Sequence, residues 1–194
     1  MKFFKSIFSG VGLLLDAYMG WTGMLLYAVV TVKSSLITNR DSVPSIIKSR
    51  ILQGAGLLHA RGVVTITSGN STGSKYLVFG IPSNAVPVSV RVSSPDIGTT
   101  TAADIGLYKA TRDGGAVVDA DFFASALSLN GGALSKSEQI FESGVITIAN
   151  SEKMIWEHLG LAADPQLTYD VALTLTADAD ATGIPLLECD YVVG

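Results

Sequence analysis

LTYDVALTLTA (167–177) places Tyr169, Val171, Leu173 and Leu175 on one side of an extended chain and Asp170, Thr174 and Thr176 on the other. A period of two is the mark of a strand with one buried face. VPVSVRVSS (86–94) repeats the pattern, with Val86, Val88, Val90 and Val92 alternating with Pro87, Ser89, Arg91 and Ser93. Pro87 marks that strand's start or an exposed edge, because proline brings no N–H to the ladder. Working outward, further strands are expected at LYAVVTVK (26–33), VVTIT (63–67), KYLVFGI (75–81), IGLYKA (105–110), GVITIA (144–149) and PLLECDYVV (185–193). SGNSTGS (68–74) has hairpin composition. About eight short strands separated by turn chemistry predict an all-β chain, enough for two packed antiparallel sheets.

Two short helices are expected to interrupt the strands. DADFFASALS (119–128) opens on Asp119, a good N-cap, and sets Phe122, Phe123, Ala126 and Leu127 at helical spacing. NSEKMIWEHLGL (150–161) has Asn150 or Ser151 as cap, Met154, Ile155, His158 and Leu159 along one side, and Gly160 as terminator. Both are amphipathic and suit the open ends of a sandwich. Trp156, across the second helix from His158, is a candidate interface anchor, since indole rings are enriched at binding hot spots; a core position serves it equally well.

The chain has 194 residues, 48% of them hydrophobic and 15% charged, which excludes a disordered chain and a highly charged nucleic-acid binder. Its length suits one domain with an appendage. Charge is segregated along it. Residues 1–61 hold seven basic residues (Lys2, Lys5, Lys33, Arg40, Lys48, Arg50, Arg61) against Asp16 and Asp41, while the remainder holds six basic against fifteen acidic. An acidic body with a basic leader suits two different surroundings, the leader being drawn to an acidic surface. The chain thus divides into a hydrophobic extension over 1–30, a basic extended arm over 31–62 with a short helix near Ile46 to Leu52, and a β-sandwich over 63–194. Ile7 to Val30 is long enough to span a bilayer, which takes about 20 residues. Asp16 and four glycines weaken that span, a signal peptide fits it nearly as well, and Met24 is a plausible alternative start. The three readings stay open at this level.

Catalytic chemistry finds little footing. Cys189 is the single cysteine and His59 and His158 are the two histidines, so neither a disulfide nor a cysteine-based metal cluster is expected. Gly69-Asn70-Ser71-Thr72-Gly73 spells a nucleophile elbow, but that motif needs a strand before it and a helix after it, and KYLVFGI is a strand. Asn70-Ser71-Thr72 is also a glycosylation sequon. Asp113, Asp119 and Asp121, and Asp178 with Asp180, do not fit a calcium loop; a helix cap and a solvated turn explain them more simply. No catalytic residue, cofactor or metal is therefore expected, and no nucleic acid, whose phosphates the acidic body would repel.

TVKSSLITNRDSVPS (31–45), TAADIGLYKATRDGGAVVDADFFASALSLNGG (101–132) and FESGVITIANSEKMIWEHLGLAADPQLTYDVALTLTADADATG (141–183) together resemble virion structural proteins of tailed bacteriophages, most of all the small proteins that decorate or cement the head. The likeness covers about residues 31–193 in phrasing and segment order. It implies a jelly-roll-like sandwich on the capsid exterior, a homodimer or homotrimer bridging subunits of the major capsid protein, without cofactor and without a membrane role. Proteins of this kind begin close to the VKSSLITNRD segment, so the first residues of this chain depart from the pattern. Under this reading the arm grips the capsid through Lys33, Arg40, Lys48, Arg50 and Arg61, with Leu36, Ile37, Ile46, Ile47, Ile51 and Leu52 as apolar anchors. The competing readings are a membrane-anchored bacterial surface sandwich with a binding head and, third, an esterase using Ser71.

Overall fold

A computed structural model describes residues 29–34, 37–38, 41–42 and 56–193. Nine strands are named among them: β1 (Thr31–Lys33), β2 (Leu58–Val63), β3 (Lys75–Pro82), β4 (Ala85–Ser94), β5 (Ala102–Lys109), β6 (Val117–Ser128), β7 (Leu134–Glu138), β8 (Thr168–Leu175) and β9 (Leu186–Val193). A single helical turn, α1 (Ile155–His158), lies between β7 and β8, and a 3-10 turn covers Thr111–Asp113. The strands form a five-stranded sheet ordered β1-β3-β8-β5-β6 and a four-stranded sheet ordered β2-β9-β4-β7. β1 runs parallel to β3 and every other pairing is antiparallel. The pairings have a simple logic. β2 pairs with β9, β3 with β8, β4 with β7 and β5 with β6, so β2 to β9 form one long ribbon folded back on itself. β4 with β9 and β5 with β8 then close it into two sheets.

Between the sheets lies one core that includes Tyr76, Phe79, Ile81, Val90, Val92, Ile105, Leu107, Phe122, Phe123, Val171, Leu173, Leu187 and Cys189. Phe122 and Phe123 meet edge to face at 4.8 Å. The alternation in β8 behaves as its sequence predicts: Tyr169, Val171, Leu173 and Leu175 all enter this core. Its opposite face is covered as well. Ala172 joins Leu77, Tyr108 and Ile37 in a second apolar cluster outside the five-stranded sheet, where Ile37 is 1% exposed. Val30, Ser34 and Thr38 hold Ile37 there. Lys75 donates its backbone N–H to Val30, Ser34 donates to the Leu77 carbonyl and, through its hydroxyl, to that of Val78, and Thr38 donates back to Ser34. Lys33 pairs with Asp41 at 2.7 Å.

Residues 119–128 are not a helix but the greater part of β6. The pairing explains the misleading spacing. From Ile105 to Leu107 β5 advances two positions while β6 retreats from Ala124 to Asp119, and from Ala103 to Ile105 β6 retreats from Leu127 to Ala124. These bulges break the period of two, so Phe122 and Phe123 are both buried in succession and Ala126 takes φ +50°. Of the helix expected over 150–161, one turn forms, and Glu157 accepts the Met154 backbone N–H at 2.8 Å at its start. GVITIA (144–149) is a turn rather than a strand. Asn150 folds it, accepting from the Thr147 backbone and hydroxyl and donating to the Val145 carbonyl. VVTIT contributes Val63 to β2 and a lone bridge from Ile66 to Gly183. It forms no hairpin with KYLVFGI, because β2 and β3 belong to different sheets. In β4 a bulge at Val88 interrupts the alternation, turning Pro87 inward and leaving Val88 50% exposed. The helix expected near Ile46 to Leu52 lies outside the described residues.

Two substitutions test this packing. A Cβ on Gly106 would overlap the Ala120 backbone carbonyl, so Gly106→Ala is expected to destabilise by about 3 kcal/mol, read by urea denaturation. Ile37→Ala is expected to cost about 2 kcal/mol by the same assay, the lower end of the range for buried aliphatic truncation, because its cluster is small. A cost near zero for Ile37→Ala would mean that the segment does not cover the sheet.

Candidate interaction surfaces

Where the five-stranded sheet has part of its outer face covered by Ile37, the four-stranded sheet presents polar rows. Leu187, Cys189 and Tyr191 of β9 point into the core, so Leu186, Glu188, Asp190 and Val192 point out. Register then fixes their neighbours. Arg61 stands opposite Glu188, Glu188 opposite Arg91, and Arg91 opposite Glu138, a row of alternating charge across all four strands. The next row runs His59, Asp190, Ser89. Asp190 bonds the His59 ring at 2.6 Å and the Arg91 guanidinium at 2.5 Å. Glu138 accepts from Ser89 Oγ at 2.6 Å and from the Val90 backbone at 2.7 Å. Beyond them the face turns apolar: Val86 opposite Val192, with Val88 and Leu57 exposed beside them. Opposite charges facing across strands stabilise the sheet while leaving the face wettable.

The sequence-predicted contact residues divide into three groups. Lys33 and Ile37 are committed to the protein's own five-stranded sheet, Lys33 in β1 and Ile37 beneath the second cluster. Arg61 is exposed on β2 within the charged row. Leu36, Arg40, Ile46, Ile47, Lys48, Arg50, Ile51 and Leu52 lie outside the described residues. Trp156 is half-buried: its backbone N–H donates to the Ser83 carbonyl and its indole N–H points to the Met154 sulfur at 3.3 Å. Ile7 to Ala28 of the candidate membrane span also lie outside the described residues, among which no helix is long and apolar enough to cross a bilayer. Glu188, Asp190, Arg91 and Glu138 were not singled out from sequence. Each is an ordinary surface residue type, and only the register between distant strands brings them into one row.

Groups with latent chemistry are held structurally. Ser71 sits in a turn followed by β3, without the helix that a nucleophile elbow requires. His158 packs edge-on against Phe122 at 6.0 Å, and burial pushes its pKa down, with Lys153 adding to the effect. Burial likewise raises the Cys189 thiol, whose side chain lies in the core. Among the described residues no group of three His, Cys, Asp or Glu side chains is placed to hold a metal ion. The expected solvated turn at Asp178 and Asp180 is a pair of loop staples. Asp178 Oδ1 accepts the Thr72 backbone N–H at 2.7 Å and its hydroxyl at 3.1 Å. Asp180 accepts from the Thr99 hydroxyl at 2.6 Å, the Thr99 N–H at 2.9 Å and the Thr101 hydroxyl at 3.2 Å.

These bonds to Thr99 above all hold the Asp180 carboxyl down to about 2. A carboxyl whose pKa is lowered by folding stabilises the protein above its ordinary range, and that contribution is lost as pH falls through the folded value. Asp180→Asn is therefore expected to lower the urea midpoint near neutral pH and to lose less stability than the parent between about pH 4 and about pH 2. Parallel acid profiles for the two proteins would contradict the staple.

No family model matches the sequence, and no curated protein does. Solved structures do match. A chain in the capsid of Ralstonia phage GP4 is similar at a TM-score of 0.56 and 17% identity, over 85% of this chain and 99% of that one. A chain of the cyanophage Pam1 capsid asymmetric unit is similar at a TM-score of 0.47 and 15% identity, over 79% of this chain and 97% of that one. At such identity the first likeness is one of fold: this protein and that phage capsid chain share a two-sheet β architecture along nearly the whole of the latter.

Proposed function

We propose that this chain is a structural protein of a tailed-phage virion that decorates the capsid exterior and cements it by bridging neighbouring subunits of the major capsid protein. One observation carries the reading: the fold is shared with 99% of a chain found in a phage capsid. The ribbon topology supports a jelly roll, since the orders β2-β9-β4-β7 and β3-β8-β5-β6 are those of a hairpin of eight strands rolled into two sheets. The protein associates with itself as a dimer or trimer and works without cofactor, catalysis or nucleic acid. A cement protein needs a stiff body and adhesive surfaces, and this body supplies a closed core and charged outer rows. The basic arm supplies the grip. Lys48 and Arg50 are its chosen test, because deletion of residues 1–61 would also remove β1, Ile37 and most of β2.

Purified virions of the encoding phage are expected to contain the chain at a fixed ratio to the major capsid protein, measured by quantitative mass spectrometry. Heads stripped of it are expected to rebind the full chain saturably, and Lys48→Glu with Arg50→Glu to weaken that rebinding by about tenfold at low salt, less at high salt. Absence from purified virions overturns the proposal, and undiminished rebinding by the double variant removes the arm from it.

A further inference from the structure

We propose that the outer face of the four-stranded sheet pairs two copies of this chain about a two-fold axis running along the strands between β9 and β4. The inference deepens the self-association just described and rests on it. Its basis is the order of groups in the rows. A row that reads positive, negative, positive, negative becomes its own complement when turned end for end. Rotation about that axis sets β9 against the β4 of the second copy and β2 against its β7. Glu188 then faces Arg91 of the second copy, and Arg61 faces its Glu138. Two further rows obey the same operation. Asp190 faces Ser89, an acceptor against a hydroxyl donor, and Val192 faces Val86, apolar against apolar. A two-fold axis perpendicular to the strands and through the charged row fails, because it sets each strand against its own copy and so brings like charge against like.

Exposure favours the same face. Val192 is 36% exposed, Val88 50% and Leu57 62%, an apolar margin beside a charged centre in which Arg61 is exposed and Glu188, at 7%, is flanked by Arg61 and Arg91. On the other sheet Ile37 already covers the equivalent ground. Sheets packed face to face keep their strands within about 30° of one another, which an axis along the strands provides.

Sedimentation equilibrium on the full chain tests this, with circular dichroism to establish that each variant is folded. The parent is expected to sediment as a dimer. Val192→Asp and Arg61→Glu are each expected to raise its dissociation constant at least about tenfold, by placing a carboxylate against an apolar row and against Glu138. Val117→Asp, at a 56% exposed position on the other sheet, is expected to change nothing. Should Val192→Asp fail to fold, Arg61→Glu on an exposed edge position decides alone. A monomeric or trimeric parent, a dimer indifferent to Arg61→Glu, or equal weakening by Val117→Asp overturns the proposal. Rebinding of the parent to stripped heads is measured alongside. A monomer that binds heads ends the pairing and leaves the capsid reading intact, whereas a dimer that ignores heads does the reverse.

Discussion

Strand β8 sits in the middle of its sheet with buried residues on both faces, Tyr169, Val171, Leu173 and Leu175 on one and Asp170 and Ala172 on the other, so both faces must be shielded from water. The opposing sheet dries one side. The other is dried from within the chain by Ile37, delivered by a three-residue strand that adds to β3 in parallel. A short parallel strand at an edge is a weak element alone, so its placement depends on two contacts beyond the ladder: the Ser34 bonds to Leu77 and Val78 and the Lys33 to Asp41 ion pair. The leading segment is thereby part of the body's stability. Tyr108 completes the cover, with Lys75 over its ring at 4.9 Å and its hydroxyl bonded to Thr174.

That arrangement makes the two outer faces unlike. One carries a small apolar cluster that Ile37 occupies; the other is charged and ordered in rows. The difference arises from the ribbon, because β9 lies between β2 and β4 and must satisfy both with alternate residues. Its inward residues, Leu187, Cys189 and Tyr191, join the core, and of its outward carboxylates Asp190 pairs with His59 and Arg91 while Glu188 stands opposite Arg61 in register. Charged side chains in such rows contribute modestly to stability, yet they fix register, since a slip by one position would bury them.

How much of this was legible beforehand depends on which interactions are local. β4 and β8 are set largely by alternation and β3 and β9 by apolar runs that each strand carries within itself, and they were readable to within a residue or two at their ends. β6 was not, because bulges disguised a strand as a helix, and they occur where the backbone of the neighbouring strand β5 approaches closely at Gly106. GVITIA has strand composition, but the side chain of Asn150 outcompetes the ladder for the same backbone groups. The charged rows were invisible for a different reason. Arg61 and Glu188 are 127 positions apart, and nothing in either stretch announces the other.

The sheet edges bear on how such a body meets its neighbours. Open edges invite strand addition, and each outer strand here discourages it. β7 has five residues, and Lys136 within it takes φ +49°. β6 is long but bulged, with Asp119 and Asp121 close enough that burial and their mutual interaction raise the Asp119 pKa. β2 carries His59 and Arg61 outward, and β1 has three residues. Irregular, short and charged edges leave backbone pairing a poor route to association. The faces remain, and among the described residues Ile37 occupies the middle of one while Val192, Val88 and Leu57 stand exposed on the other.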